Sequence, residues 1–386
     1  MPSKRQKQHQ HHSSGINYKS VALASGEFNH DDVDDDISYS SRRDSNEAIA
    51  TPTKSGSRSH RSNTPATMDS VSTNSAKMSK YKELAIIYFL AEFFGTFMLV
   101  IIGDGAIAAY VVTRNKVEVF VVCLGFGVGA MVATFLAGKI SGAHINPAAT
   151  LAFALEGSVQ WKYVPVYLLG QYAGGFAAAT VLLVNYAEGI AYIDGGTRSA
   201  FGAFNSTGHI FATYPAPYLS NWGGVLDQII GTGVLLFSIS AVTDRANSGL
   251  EARHQPLIIA LVIALVCVAF SANCGAIFNP ARDLSPRLVT AIFGYHLEPF
   301  RPLSGHYWWL SGVVGPHIGA VLGVFAYKLF IGRSLYIKQK LDSSHQHKND
   351  TQLHKSKIHD NAQSPIHDLH HESESTTKFS TSLQAL

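Results

Sequence analysis

Apolar residues in this chain gather into long runs between two polar ends. Windows near 84–112, 118–138, 163–185, 223–243, 256–273 and 307–331 are long and apolar enough to cross a bilayer as helix, which takes about 20 residues. Two shorter apolar pieces, 146–156 and 279–293, cannot span. Each opens on Asn-Pro-Ala: Asn146, Pro147 and Ala148 in SGAHINPAAT, then Asn279, Pro280 and Ala281 in CGAIFNPARD. Asn caps a helix and Pro is tolerated at its first position, so both pieces are predicted to be re-entrant half-helices. Broken backbone at membrane depth is tolerated only where it lines a cavity or is buried in protein.

The two halves resemble each other beyond the tripeptide. AEFFGTFMLV, starting at Ala91, matches DQIIGTGVLL, starting at Asp227; Glu92 corresponds to Gln228, and Gly95 and Thr96 to Gly231 and Thr232. From Gly95 to Asn146 is 51 residues, and from Gly231 to Asn279 is 48. Three spans per half is an odd number, so the second copy must enter from the opposite side. The predicted fold is therefore an all-α membrane protein, with six transmembrane helices plus two re-entrant half-helices in an inverted repeat. Such a repeat places its site near the midplane, where the half-helix N-termini face each other.

Charge sharpens this division. Charged residues are 15% of the 386, against about a quarter in soluble domains, and most lie outside the apolar region. Residues 1–82 and 333–386 are too polar to bury a core and are expected to be disordered cytoplasmic tails flanking a channel domain at 83–332. The start of the chain carries no apolar leader, so the first span is expected to serve as the insertion signal. A net charge of +3 is too small to point to nucleic acid. With both tails inside, the cytoplasmic flanks hold Lys77, Lys80, Lys82, Lys139, Lys162, Arg245, Arg253, Arg333, Lys338 and Lys340, while the outer loops hold Arg114, Lys116, Arg198 and Arg301. This bias puts both termini in the cytosol, and places the sequon Asn205, Ser206, Thr207 outside, where Asn205 is a glycosylation acceptor.

Enzyme chemistry is not legible. The membrane core holds no Ser-His-Asp arrangement, CxxC pair or nucleotide loop, and neither a cofactor site nor a metal site is expected. Cys123, Cys267 and Cys274 are odd in number and give no closed disulfide framework. Seven histidines after Lys340 have no fixed ligand spacing and read as a solvated tail, with weak metal binding the alternative. Ser45, after Arg42 and Arg43, fits a basic-directed phosphorylation pattern.

Paired Asn-Pro-Ala motifs in an inverted six-span repeat resemble the aquaporins (major intrinsic proteins) over 83–332. NPARDLSPR, from Asn279 to Arg287, is similar to the glycerol-conducting aquaglyceroporin branch, where Asp283 follows the Arg and Pro286 and Arg287 come soon after. HIFATYPAPYLS, from His209, resembles the outer loop of animal aquaglyceroporins. One departure lies in WWLSGVVGP: that branch usually has an apolar residue and Pro where this chain has Ser311 and Gly312. By family spacing the resemblance implies a selectivity filter of Phe126, Cys267, Ala276 and Arg282. Water-selective members place His where this chain has Cys267, so Cys267 and Ala276 imply a wider, partly apolar opening. The resemblance further implies a homotetramer in the plasma membrane, one pore per subunit, conducting glycerol, water and small neutral solutes such as urea.

The residues themselves supply the chemistry. The Asn146 and Asn279 amides can donate to a passing hydroxyl or merely cap their helices. The half-helix dipoles add positive ends at the centre, which orient solute oxygen and oppose cations. Arg282, one turn into the second half-helix, is either a filter cation or part of a structural ion pair, since a membrane charge must line water or be paired. For Phe126 the alternative is ordinary packing. Asp283 and Arg287, four apart, read as a structural pair holding the outer loop. Glu92 and Gln228 are expected to accept bonds from loop backbone. His144 reads as a packing residue, with a pH gate the alternative. The expected function is passive conduction of glycerol and water; the alternatives are a water-selective channel and an ion-coupled secondary transporter, for which Asp283 is the only acid beside either motif.

Overall fold

The structure, a computed structural model, describes residues 68–114 and 116–363, with side chains over 78–114 and 116–356. It is helical, and no strand occurs among the described residues. Among the described residues, six helices are long and apolar enough to cross a bilayer. In chain order, α1 (Met68–Val112) and α2 (Val119–Ser141) precede the half-helix α3 (Pro147–Glu156), then α4 (Val164–Asn185) and a short helix α5 (Ala187–Asp194). The second half runs α6 (Asn221–Thr243), a single turn α7 (Arg245–Ser248), α8 (Gln255–Cys274) and the half-helix α9 (Pro280–Thr290). It ends in α10 (Tyr307–Trp309), α11 (Gly315–Tyr327) and α12 (Arg333–Gln363). Large apolar side chains such as Leu169, Val184 and Phe135 stand exposed on the outside, which a surrounding lipid phase accommodates.

The two halves pack by the same plan. Helix α1 packs on α2 and α4, and α6 packs on α8 and α11. Each half-helix crosses over: α3 packs against α11 of the second half, and α9 against α4 of the first. Glycines make the key crossings possible, as lipid gives helix packing little hydrophobic drive and small residues let backbones approach. A Cβ on Gly174 would lie 2.2 Å from the Phe93 carbonyl oxygen, and one on Gly323 would lie 2.3 Å from that of Gly233. These are corresponding contacts, α4 on α1 and α11 on α6. Since backbone cannot yield as a side chain does, overpacking here costs at least the ~1–3 kcal/mol typical of cores. Gly174→Leu should therefore abolish the monodisperse gel-filtration peak in detergent. Gly138→Ala, whose Cβ would meet the Thr134 methyl at an ordinary 3.5 Å, should leave that peak intact.

The structure departs from the expected tails where it describes them. Residues 68–82 already belong to α1, and 333–363 form α12 instead of disordered chain. Composition rules out a buried core there, but a helix continuing from a formed span avoids the nucleation cost; the side chains over 336–356 are accordingly exposed. Residues 1–67 and 364–386, with Ser45, His367, His370 and His371, lie outside the described residues. The last span also differs from one regular helix: it carries π-type turns at Leu310–Val314 and Lys328–Gly332.

Candidate functional site

Each motif Asn uses both ends of its amide. Asn146 Oδ1 accepts from the Ala148 backbone N–H at 2.9 Å, and Asn279 Oδ1 from those of Ala281 at 3.0 Å and Arg282 at 3.3 Å. The nitrogens cross between halves: Asn146 Nδ2 donates to the Phe278 carbonyl at 2.9 Å, and Asn279 Nδ2 to the Ile145 carbonyl at 2.6 Å. These bonds tie the tips of α3 and α9 together. An amide nitrogen carries two N–H groups, so one remains on each Asn for a solute. Capping and donating are thus compatible, and neither excludes the other.

The loops leading into the half-helices are strained alike. Gly142, Ala143 and Ile145 have φ of 86°, 51° and 46°, and Gly275, Ala276 and Phe278 have 70°, 55° and 48°. Positive φ is uncommon for non-glycine residues and a true outlier for β-branched Ile; such strain persists only where the surroundings over-determine it. Glu92 does this in the first half. Its carboxylate accepts from the Ser141 hydroxyl at 2.5 Å, the His144 N–H at 3.0 Å, the Ile145 N–H at 2.7 Å and Gln171 Nε2 at 2.7 Å. Gln228 is its counterpart, accepting from the Phe278 N–H at 3.0 Å and donating to Asp227 at 2.8 Å, which also accepts from Asn273 Nδ2 at 2.8 Å. Both groups accept from loop backbone, as their positions in the sequence imply. The His144 ring lies 5.0 Å from the rings of Phe153 and Tyr167, with Nδ1 3.2 Å from the Thr150 hydroxyl; this is a packed environment.

Arg282 leaves α9 one turn after Asn279 and is buried. Its guanidinium lies over the Phe126 ring, 4.6 Å from the centroid, and Nη1 donates to the Phe211 carbonyl at 3.2 Å. Cys267 and Ala276 belong to the same buried apolar cluster as Phe126. The same Nη1 lies 3.3 Å from Oδ1 of Asp104, on α1. Asp104 is absent from the expectations drawn above, although a second carboxylate inside the first span was a legible signal. The two readings of Arg282 meet here, since it has a counter-charge and a place beside Phe126. Phe211, which contributes only its carbonyl, had no side-chain signal to find.

Asp283 and Arg287 form the buried pair expected from their spacing, with Arg287 Nη2 2.8 Å from Asp283 Oδ2. Arg287 also donates to the carbonyls of Pro299 and Thr213, both at 2.6 Å, while Asp283 accepts from the Thr213 N–H and hydroxyl at 2.8 and 2.7 Å. The pair thereby fastens the segments at Thr213 and Pro299 to α9. The departure at Ser311 and Gly312 fits this arrangement: a Cβ on Gly312 would lie 3.3 Å from Asp283 Oδ2, and the Ser311 hydroxyl occupies the space a Cβ on Gly224 would need. Asn205 is exposed on the segment between α5 and α6.

Comparison with known proteins agrees with this geometry. The family model for major intrinsic protein matches residues 78–327. The chain is 40% identical over 243 residues to human aquaporin-9, covering 63% of this chain and 81% of the relative. It is 40% identical over 260 residues to aquaporin-3 of the tardigrade Milnesium tardigradum, covering 65% and 79%. The X-ray structure of the aquaglyceroporin from Plasmodium falciparum superposes with a TM-score of 0.59 at 26% identity, over 66% of this chain and 99% of that one. The chain is a multi-pass membrane protein of the major intrinsic protein family, in its aquaglyceroporin branch.

Proposed function

We propose that this chain is a passive channel for glycerol and water, with urea and similar neutral solutes within its reach, and that selection is made at Phe126, Cys267, Ala276 and Arg282. The observation that carries this reading is Arg282 stacked on Phe126 beside the cluster that holds Cys267 and Ala276. Glycerol has a hydroxyl edge and a carbon backbone. The guanidinium donates to the hydroxyls, the Phe126 ring takes the carbon face, and the two small side chains leave room for the width of a polyol. At the midplane the free N–H groups of Asn146 and Asn279 replace hydration without binding tightly. As in aquaporins generally, an arginine and the positive ends of the half-helices oppose protons and other cations.

Several finer points belong to the same reading. Family membership supports a homotetramer with one pore per subunit in the plasma membrane. The Lys and Arg distribution supports cytoplasmic termini and an extracellular Asn205 that carries glycan. Asp283 and Arg287 hold the outer mouth open.

All three cysteines are free and buried, and in this reading Cys267 is the one a mercurial meets in the pore. Mercuric chloride should block water and glycerol flux together in reconstituted liposomes, and Cys267→Ser should remove the block. Undiminished sensitivity in Cys267→Ser would remove Cys267 from the pathway and point to Cys123 or Cys274.

A further inference from the structure

Five acidic side chains are buried among the described residues: Glu92, Asp104, Asp194, Asp227 and Asp283. Four have their oxygens occupied. Glu92 and Asp283 accept the bonds given above. Asp194 accepts from Arg198 at 2.6 Å and Thr207 at 3.0 Å, and Asp227 from Gln228 and Asn273, both at 2.8 Å. Asp104 differs. It is fully buried, and neither carboxylate oxygen accepts a hydrogen bond. A buried carboxylate in that state is costly, and a native fold keeps one only for a reason.

Its surroundings locate that reason. The nearest cation is Arg282, with Nη1 3.3 Å from Asp104 Oδ1. The glycine before Asp104 brings this turn of α1 against the constriction: a Cβ on Gly103 would lie 2.3 Å from the Phe126 ring, the ring on which Arg282 stacks. Phe126, Arg282 and Asp104 therefore form one layered group. We propose that Asp104 is a positioning residue that holds Arg282 back toward α1 and offsets part of its charge, so that the constriction selects chiefly by width and hydrogen bonding. This rests on the reading of Arg282 as a filter residue. The low-dielectric interior makes the pair's mutual attraction large, and the attraction draws the guanidinium off the axis of the opening. A neutral polyol then meets oriented donors without the tight binding a bare cation would impose. Cation exclusion is shared with the half-helix dipoles and does not rest on Arg282 alone.

The test compares Asp104→Asn, Arg282→Ala and the double variant in liposomes, each checked for a monodisperse gel-filtration peak and retained water flow. Asp104→Ser replaces Asp104→Asn if the latter fails to assemble. Proton leak is read with an entrapped pH dye under a clamped potential. In Arg282→Ala the carboxylate is left alone beside a widened opening, and protons should leak inward. Adding Asp104→Asn should cut that leak by about tenfold, the low end of what a single-signed cleft does to local ion concentration. Asp104→Asn alone should lower glycerol flux relative to water, because an unbalanced Arg282 moves into the opening; a purely structural role would lower both fluxes together. An equal leak in the single and double variants, no leak in Arg282→Ala, or an unchanged ratio of glycerol to water flux in Asp104→Asn would each overturn the proposal. The leak comparison does not depend on glycerol passing. Failure of the filter reading would show separately, as glycerol flux unaffected by Cys267→His.

Discussion

Cys267→His should lower glycerol permeability by about tenfold or more, the scale on which small changes of bulk discriminate in fitted apolar pockets, and leave water flow nearly unchanged. Cys267 is almost fully buried, in the cluster that also contains Phe126 and Ala276. An imidazole there adds a ring and two polar nitrogens to a cluster that is otherwise apolar or weakly polar. Water needs only a narrow polar path and can use the new nitrogens. Glycerol needs width and an apolar rail for its carbons, and loses both. Stopped-flow light scattering on liposomes, with each solute in turn, separates the two effects. Unchanged glycerol flux in a correctly assembled variant would show that Cys267 does not line the constriction.

Arg287→Ala should be the most destabilising single change in the channel domain outside the glycine crossings. It strands Asp283 as an unpaired buried charge and releases the Pro299 and Thr213 carbonyls. Breaking a buried pair by removing one partner costs about 3–5 kcal/mol. The rings of Tyr214 and Tyr307, 5.1 and 5.8 Å from the guanidinium carbon, lose their cation as well. Removing both charges in Asp283→Ala/Arg287→Ala should recover part of the loss, because no lone charge is left behind. Thermal unfolding followed by gel filtration in detergent measures both variants. A double variant less stable than Arg287→Ala would show that the Thr213 contacts of Asp283 outweigh the ion pair.

The spans and half-helices were legible because their signals are local: apolar runs of bilayer length, and an Asn-Pro start that both caps and permits a first turn. The inversion was legible because matched residues such as Glu92 and Gln228 recur at similar distances from each motif. What lay outside the sequence was mostly relational. Nothing local says that Gly174 and Gly323 sit on carbonyl oxygens of α1 and α6, or that Ile145 adopts positive φ under the grip of Glu92. The Asp104 carboxylate was visible as an acid in a span, yet its partner lies 178 positions further on and is reached only through the packing of α9. The polar ends misled in part, since composition speaks to whether a segment can bury a core and not to whether it can extend a helix already begun.

The most direct test is to reconstitute the full chain in liposomes and follow light scattering after an inward glycerol gradient, beside a sucrose control for water. Re-swelling in glycerol well above empty liposomes, linear in gradient and indifferent to sodium or proton gradients, is the predicted result. Fast water flow with no glycerol entry would contradict it, leaving the fold in place but making Phe126, Cys267, Ala276 and Arg282 a filter for water alone.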